Sequence, residues 1–385
     1  MLLDAPLQRA VGRFVPAPLP PAGTFAGQTV LVVGATSGLG LAAAVHFATL
    51  GASVIITSRA ASRGDAARRH VEEAAGPSRA GDISCLELDL ERYGSCTGFM
   101  AELKSRLPGP AALDVVVVNG GIVNSHWEES AEGWEKTIQI NTIGTTLIGL
   151  LLLGWVRGAR DQRASPAHLV FVSSREHLYP DLDELARWSR REDGVLRQVC
   201  SRDNWPSHWW DAEPNYAVSK LLIMYTIEEI SRLARGPDGD PLVVVNSVCP
   251  GMVKTDIGRH IASRSWFHNL CTVLTLWVTA KTADSGARIC VAAALKPKEA
   301  HGEFFNYWLT ADQYRRYVVT VRQTGEPAVF IQVKRLAERV LTDYRHAATV
   351  IDSDKARALQ KLVWKEVSDE LIAKVPEVRA GLDGL

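Results

Sequence analysis

The sequence predicts a doubly wound α/β fold, a single parallel sheet with helices on both faces. Short, mainly apolar, β-branched runs alternate with helical stretches from residue 28 to about 308. Continuous apolar strands of this kind belong to sheets covered on both sides. A glycine cluster, Gly34, Gly38 and Gly40, falls between the first such run and the first helix. Strand–turn–helix succession is how a parallel sheet is wound, and neither an internal repeat nor a low-complexity tract interrupts it.

The elements follow in order. Residues 1–27 form an extended lead-in, because Pro16, Pro18, Pro20 and Pro21 lack amide donors and fix their own torsions. Strand 29–33 leads into the glycine turn 34–40 and a helix over 41–50, with Gly51 at the position after the helix cap. Further strands are expected at 53–57, 85–88, 115–118, 169–172 and 243–248, and helices at about 61–75, 94–107, 133–157 and 216–235. After Leu309 the strand signal ends. Leu359, Val363, Val367 and Leu371 recur at helical spacing within 356–375. The expected organisation is a lead-in (1–27), a main α/β domain (28–310) and a helical extension (311–385) packed on it.

Composition narrows the function classes. Lys plus Arg and Asp plus Glu are both 43, so there is no net charge to draw the chain to nucleic acid. Apolar residues make up 46% and charged residues 22%, which excludes a largely disordered chain. The six cysteines, at 85, 96, 200, 249, 271 and 290, form no CxxC pair, and the histidines show no ligand spacing. Reduced thiols and no metal are expected. Asp4 and Pro6 break the N-terminal stretch as a signal peptide, and the apolar runs 147–156 and 270–280 fall short of a membrane span. A cytoplasmic protein without a membrane span is the expectation.

The string VVGATSGLG points to a ligand. Glycines at a strand-to-helix turn let a dinucleotide pyrophosphate approach the backbone and the free amides of a helix N-terminus. An acidic residue after the second strand would bind the ribose 2′-hydroxyl of NAD. Here Ser58 and Arg59 stand in that place. No carboxylate repels a 2′-phosphate and one guanidinium can pair with it, so NADPH is expected and NADH is disfavoured.

Tyr216 and Lys220 form a YxxxK at the start of a predicted helix. Spacing i, i+4 puts both on one helix face. An ammonium beside a phenol favours the phenolate and makes the tyrosine a usable acid/base near neutrality. Over residues 28–308 these motifs together resemble the short-chain dehydrogenase/reductase family. Gly34, Thr36, Ser37, Gly38, Leu39 and Gly40 match its glycine turn, with Val33 in place of the usual threonine. Asp89-Leu90 stands where the family contacts adenine. Asn119-Gly120-Gly121 matches its NNAG segment, departing at Val118 and Gly120. Asn141 matches its helix asparagine, and Ser174, second of two serines closing the fifth strand, its catalytic serine. Pro250, Gly251, Val253 and Thr255 match the segment that holds the nicotinamide carboxamide.

The resemblance implies a Rossmann domain and a catalytic set of Asn141, Ser174, Tyr216 and Lys220. Tyr216 would give a proton to a carbonyl oxygen and, with Lys220, contact the cofactor. Ser174 would hydrogen-bond that oxygen, Lys220 would favour the Tyr216 phenolate and bind the ribose, and Asn141 would hold a water leading to Lys220. Ser174 and Tyr216 are farther apart than in many relatives. The intervening insert, 175–214, carries Trp188, Trp205, Trp209 and Trp210 and the basic residues Arg187, Arg190, Arg191 and Arg197. Trp205, Trp209 and Trp210 either wall the substrate or pack the insert onto the main domain. A second segment, 252–280, matches the family's substrate lid and carries Trp266, Phe267, Leu270, Leu274 and Trp277. An apolar lid implies a lipophilic small molecule.

The stretches AKTADSGARICVAAALKPKEAHGEFF and ALQKLVWKEVSDELIAKVPEV resemble fungal, retinol-dehydrogenase-like reductases of secondary metabolism, which implies a polyketide- or terpenoid-like substrate. The expected activity is NADPH-dependent reduction of its ketone or aldehyde by a monomer or homodimer. Oxidation of a secondary alcohol with NADP remains open, as does a non-redox isomerase, dehydratase or cyclase. The intact four-residue set argues against a nucleotide sensor without turnover.

Overall fold

The computed structural model describes residues 16–77, 82–205, 215–254, 280–306 and 353–382. One parallel sheet of seven strands runs through them. In chain order the strands are β1 (Thr29–Val33), β2 (Ser53–Ser58), β3 (Ile83–Glu87), β4 (Val115–Val118), β5 (Ala167–Val172), β6 (Val243–Cys249) and β7 (Phe304–Asn306). Across the sheet the order is β3-β2-β1-β4-β5-β6-β7.

Register and burial follow from the sequence pattern. Val30 and Val32 of β1 face one core with Val54, Ile56, Val115 and Val117, while Leu31 and Val33 face the other with Ile55, Val116 and Val118. Both faces are largely apolar because both are covered, which is why most strand positions are apolar. The predicted strands at 29–33 and 115–118 have the expected bounds, and the other four shift by one or two residues. β7 was not expected. It is three residues long, pairs with the end of β6, and has no apolar run to announce it.

The helices are α1 (Gly38–Thr49), α2 (Ala61–Ala75), α3 (Tyr93–Arg106), α4 (Lys136–Ile138), α5 (Thr145–Val156), α6 (Leu182–Trp188), α7 (Gly194–Cys200), α8 (Tyr216–Leu233), α9 (Ala283–Ala293), α10 (Asp354–Lys374) and α11 (Arg379–Leu382). The α1, α2 and α9 helices cover one face of the sheet, and α3, α5 and α8 the other. Helix α1 starts at Gly38, so the last two glycines of the predicted turn belong to its first turn. The helix expected from 133 begins instead at Lys136, where the Glu135 carboxylate caps the amides of Thr137 and Ile138. Between α4 and α5 lies a π-turn, Gln139–Gly144. The continuous helical stretch Lys136–Gln162 is long and apolar enough to cross a membrane by composition, longer than the run expected there, but it is the buried core helix of this sheet.

The lead-in is extended only in part. Phe25 is fully buried, edge-on to Phe47 at 5.0 Å, and its N–H donates to Leu50 O, so residues 22–27 are turns pinned to α1. At the other end of the chain, α10 buries Leu359, Val363, Val367 and Leu371 against α7 and α8. Helix α11 crosses α5 closely enough that a methyl on Gly154 would stand 2.7 Å from Gly381 N. The described part of the insert is helical, and Trp188 packs against the core.

Candidate active site

The winding of the sheet reverses between β1 and β4, and in open α/β sheets ligands bind at the strand C-termini beside such a switch point. A cleft of about 640 Å³ opens there. Gly34, at φ 74°, turns the chain out of β1, and a side chain on it would strike the backbone of Gly120. The turn is fixed from both sides. Gly34 N–H donates to Thr57 Oγ1 at 3.0 Å, and Asn119 Nδ2 donates to Gly34 O at 3.0 Å. The sequence departure at Gly120 has a cause, because a methyl there would meet the buried Leu90 side chain at 2.7 Å.

Of the expected cofactor residues, Gly34, Thr36, Ser37, Gly38, Leu39, Ser58, Arg59, Asp89, Leu90, Asn119, Gly120 and Gly121 line this cleft. Gly40 does not. It lies behind the turn against Gly34 O and Asn119 Nδ2. Ser58 spends its hydroxyl on its own turn, donating to Ala60 O and accepting from Ala60 N. Arg59 and Arg63 stand exposed at the lip, the first just before α2 and the second in its first turn. Sequence reasoning missed Arg63, although its place four residues after Arg59 on the adjoining helix was the available signal.

The second half of the site lies past Gly121. A methyl on Gly121 would sit 3.2 Å from Asn141 Oδ1 and 3.8 Å from Lys220 Nζ, so cleft floor, asparagine and lysine meet there. Asn141 Oδ1 accepts from Ile122 N, and its Nδ2 donates to Ile122 O and to Ser219 Oγ at 3.0 Å. Ser219 Oγ in turn donates to Tyr216 O at 2.7 Å. The asparagine side chain is thus occupied by protein partners. Lys220 Nζ donates to Val172 O and lies 5.6 Å from the centre of the Tyr216 ring. Tyr216 itself is half-buried at the start of α8, which packs against the turn that follows Ser174.

Ser174 is held through its backbone. Its carbonyl accepts from His177 Nδ1–H at 2.5 Å and from His177 N, while its Oγ accepts from Glu176 N. Burial pushes the His177 imidazole down to about 4, so it stays neutral. Beside this turn, Arg175 N–H donates to Cys249 Sγ. Pro250 O accepts from Lys281 Nζ at 3.1 Å. Gly251 follows, and Val253 and Lys281 form a parallel bridge, so the two described ends of the predicted lid are stitched together. Thr255, Trp209, Trp210 and Trp266, with most of the lid, lie outside the described residues, and Trp205 is half-buried at the end of the described insert. Five cysteines are free, and no cluster of metal-ligating side chains occurs among the described residues.

Two buried lysines flank Cys249. Burial lowers Lys220 to about 8 and Lys281 to about 7. Unfolded, both hold their protons to about 10.4. Above pH 7 the folded chain therefore binds fewer protons than the unfolded one, and each lysine makes stability rise with pH. Between pH 6.5 and 8, Lys281 contributes a gain of about 1 kcal/mol. Urea unfolding across that range should give a steeper rise for the natural chain than for Lys281→Met by this amount; parallel profiles would refute it.

A dinucleotide fits this geometry. The Gly34 and Gly120 approach keeps the cleft floor free of side chains, α1 presents its N-terminus, and cations stand where the second strand ends. Comparison with known proteins agrees. Residues 28–181 match the family model described as short chain dehydrogenase. The chain is 30% identical to the short-chain dehydrogenase/reductase phmF of Phaeosphaeria nodorum, over 94% of this chain and 92% of that one. It is 31% identical to human retinol dehydrogenase 14, over 72% of this chain and 76% of that one. Among solved structures, a variant of actinorhodin polyketide ketoreductase with NADPH superposes with a TM-score of 0.52, covering 73% of this chain and 95% of that one at 19% identity. Fold and site thus define a nicotinamide-dinucleotide-binding α/β oxidoreductase. The chain belongs to the short-chain dehydrogenase/reductase family.

Proposed function

We propose that the protein reduces a ketone or aldehyde on a lipophilic, polyketide- or terpenoid-like small molecule, with NADPH as cofactor and Tyr216 as proton donor. The observation that carries this reading is the junction at Gly121, where the cleft floor meets Lys220 and Asn141, with Tyr216 one helical turn before the lysine. Gly34, Ser37, Gly38 and Leu39 would hold the pyrophosphate, Asp89 and Leu90 the adenine, and Pro250, Gly251, Val253 and Thr255 the nicotinamide end. When bound, the cofactor supplies the hydride.

The chain's own residues supply the rest. The Tyr216 hydroxyl gives its proton to the carbonyl oxygen, and Lys220 next to it stabilises the phenolate left behind. Ser174, fixed by His177 and Glu176, donates a hydrogen bond to the same oxygen as charge builds on it. Asn141, tied through Ser219 to Tyr216 O, holds the two helices in register. An aryl-ketone panel with NADPH, followed at 340 nm, tests the activity; conversion without cofactor consumption would favour a non-redox reaction.

Arg59 and Arg63 carry the cofactor preference. A charge-assisted hydrogen bond contributes about 1.5–3 kcal/mol. Arg59→Ala should therefore weaken NADPH about tenfold or more and leave NADH nearly unchanged, and adding Arg63→Ala should widen the gap. Equal losses for both cofactors in titrations of intrinsic fluorescence would refute the assignment.

A further inference from the structure

Asn215 directly precedes Tyr216, caps α8, and is buried, yet its side chain makes no capping bond to its own helix. Its Nδ2 donates instead to Glu135 Oε2 at 3.3 Å and to Val199 O at 3.2 Å. An asparagine at this position ordinarily accepts from the first turn of the helix it starts. Here that arrangement is given up for a cross-link between three separate segments.

Glu135 is fully buried and is bonded by amides. Its two oxygens accept from Thr137 N, Ile138 N and Asn215 Nδ2. The carboxylate therefore sets where α4 begins, and α4 runs straight into the π-turn that carries Asn141. It also grips the residue before Tyr216. One side chain registers the start of both helical segments that carry Asn141, Tyr216 and Lys220.

The third segment is α7, in the insert. Val199 and Cys200 at its C-terminus offer their carbonyls to Asn215 Nδ2 and Trp127 Nε1. Its N-terminus is held from far along the chain, where Glu366 of α10 accepts from Val195 N at 2.9 Å and Leu196 N at 2.8 Å. Helix α10 is itself fastened to the main body. Glu370 accepts from Tyr93 OH and Trp134 Nε1, and Gln360 Nε2 donates to Glu229 on α8. Helix α7 is a rod of about 10 Å between a carboxylate on the C-terminal helix and the residue beside Tyr216.

We infer that Asn215 and Glu135 are positioning residues for Tyr216, and that α10 steadies them through Glu366 and α7. The inference rests on the proposed role of Tyr216 as proton donor. It assigns the insert and the C-terminal helix a part in aligning the reaction as well as in packing.

The test uses the full chain, NADPH and the aryl ketone that the natural protein reduces fastest. Asn215→Ala should lower kcat about tenfold or more, since small misalignments of reacting groups cost rate steeply, and should change KM and NADPH affinity less than twofold. Glu366→Ala should lower kcat in the same pattern by a smaller factor, and Glu366→Gln, which keeps one acceptor, should recover part of it. Hydrogen exchange of amides 215–220 should quicken in both alanine variants, while that of β4 stays unchanged. Unchanged kcat in both variants would overturn the inference. So would kcat, NADPH affinity and thermal stability falling together, the signature of simple destabilisation. Tyr216→Phe serves as the control. If it turns over normally, the donor assignment has failed and exchange at 215–220 alone decides whether the tie exists.

Discussion

Tyr216→Phe should abolish turnover while NADPH still binds. The substitution keeps the aromatic ring, its place at the head of α8 and its 5.6 Å approach to Lys220 Nζ, and removes only the O–H. A positioned general acid is worth about 10²–10⁴-fold in rate, so residual ketone reduction should lie at or near the background. The cofactor cleft is lined mainly by the glycine turn, the ends of β2 and β3 and the segment after β4, and Tyr216 is not among its lining residues. NADPH affinity, read from fluorescence quenching, should therefore stay within about twofold, because the glycine turn and the residues at the ends of β2, β3 and β4 that line the cleft are untouched. Turnover near the natural rate would sink the mechanism, and loss of cofactor binding would mean that the tyrosine builds the cleft instead.

Gly40→Ala should have the largest effect on the cofactor. Gly40 lies where α1 passes behind the turn, and an added methyl would drive into Gly34 O and stand 2.5 Å from Asn119 Nδ2. Neither is the free end of a flexible side chain. Gly34 O is backbone, and Asn119 Nδ2 is the donor that fixes it. Relief requires α1 to move off the sheet, taking with it the N-terminus that faces the cleft. Overpacking of this kind costs about 1–3 kcal/mol in stability, and NADPH affinity should drop tenfold or more, since one factor of ten needs only about 1.4 kcal/mol. Gly158→Ala, with open space around the added methyl, is the matched control and should be silent in both assays. If Gly40→Ala bound NADPH normally, close packing behind the turn would not matter to the phosphates in front of it.

What the sequence disclosed and what it hid separate along physical lines. Strands buried on both faces are mostly apolar, and the runs TVLVV and VVVV are short and sharply bounded, so β1 and β4 could be read to the residue. The turn was legible because Gly34 must leave β1 at a positive φ and Gly40 must accept a helix pressed against it. β7 escaped because three residues at a sheet edge need no apolar run. Arg63 escaped because an exposed arginine on a helix looks like any solvated charge until the cleft is seen beside it. The polar groups that hold the site escaped for another reason. Glu135 meets Asn215, Lys281 meets Pro250 and Glu366 meets Val195 across long chain separations, and nothing in local periodicity announces a partner so far away. The order of the motifs could be read from the sequence, whereas the bonds that align them depend on the tertiary fold.

The covering of α5 and α8 by the last helices bears on how the protein is made. Translation delivers the seven strands and the nucleotide turn well before α10 and α11. Until those final residues leave the ribosome, the apolar flank beneath them has no cover, and exposed surface of that kind invites association between nascent chains. Early termination after residue 350 should therefore yield aggregated product.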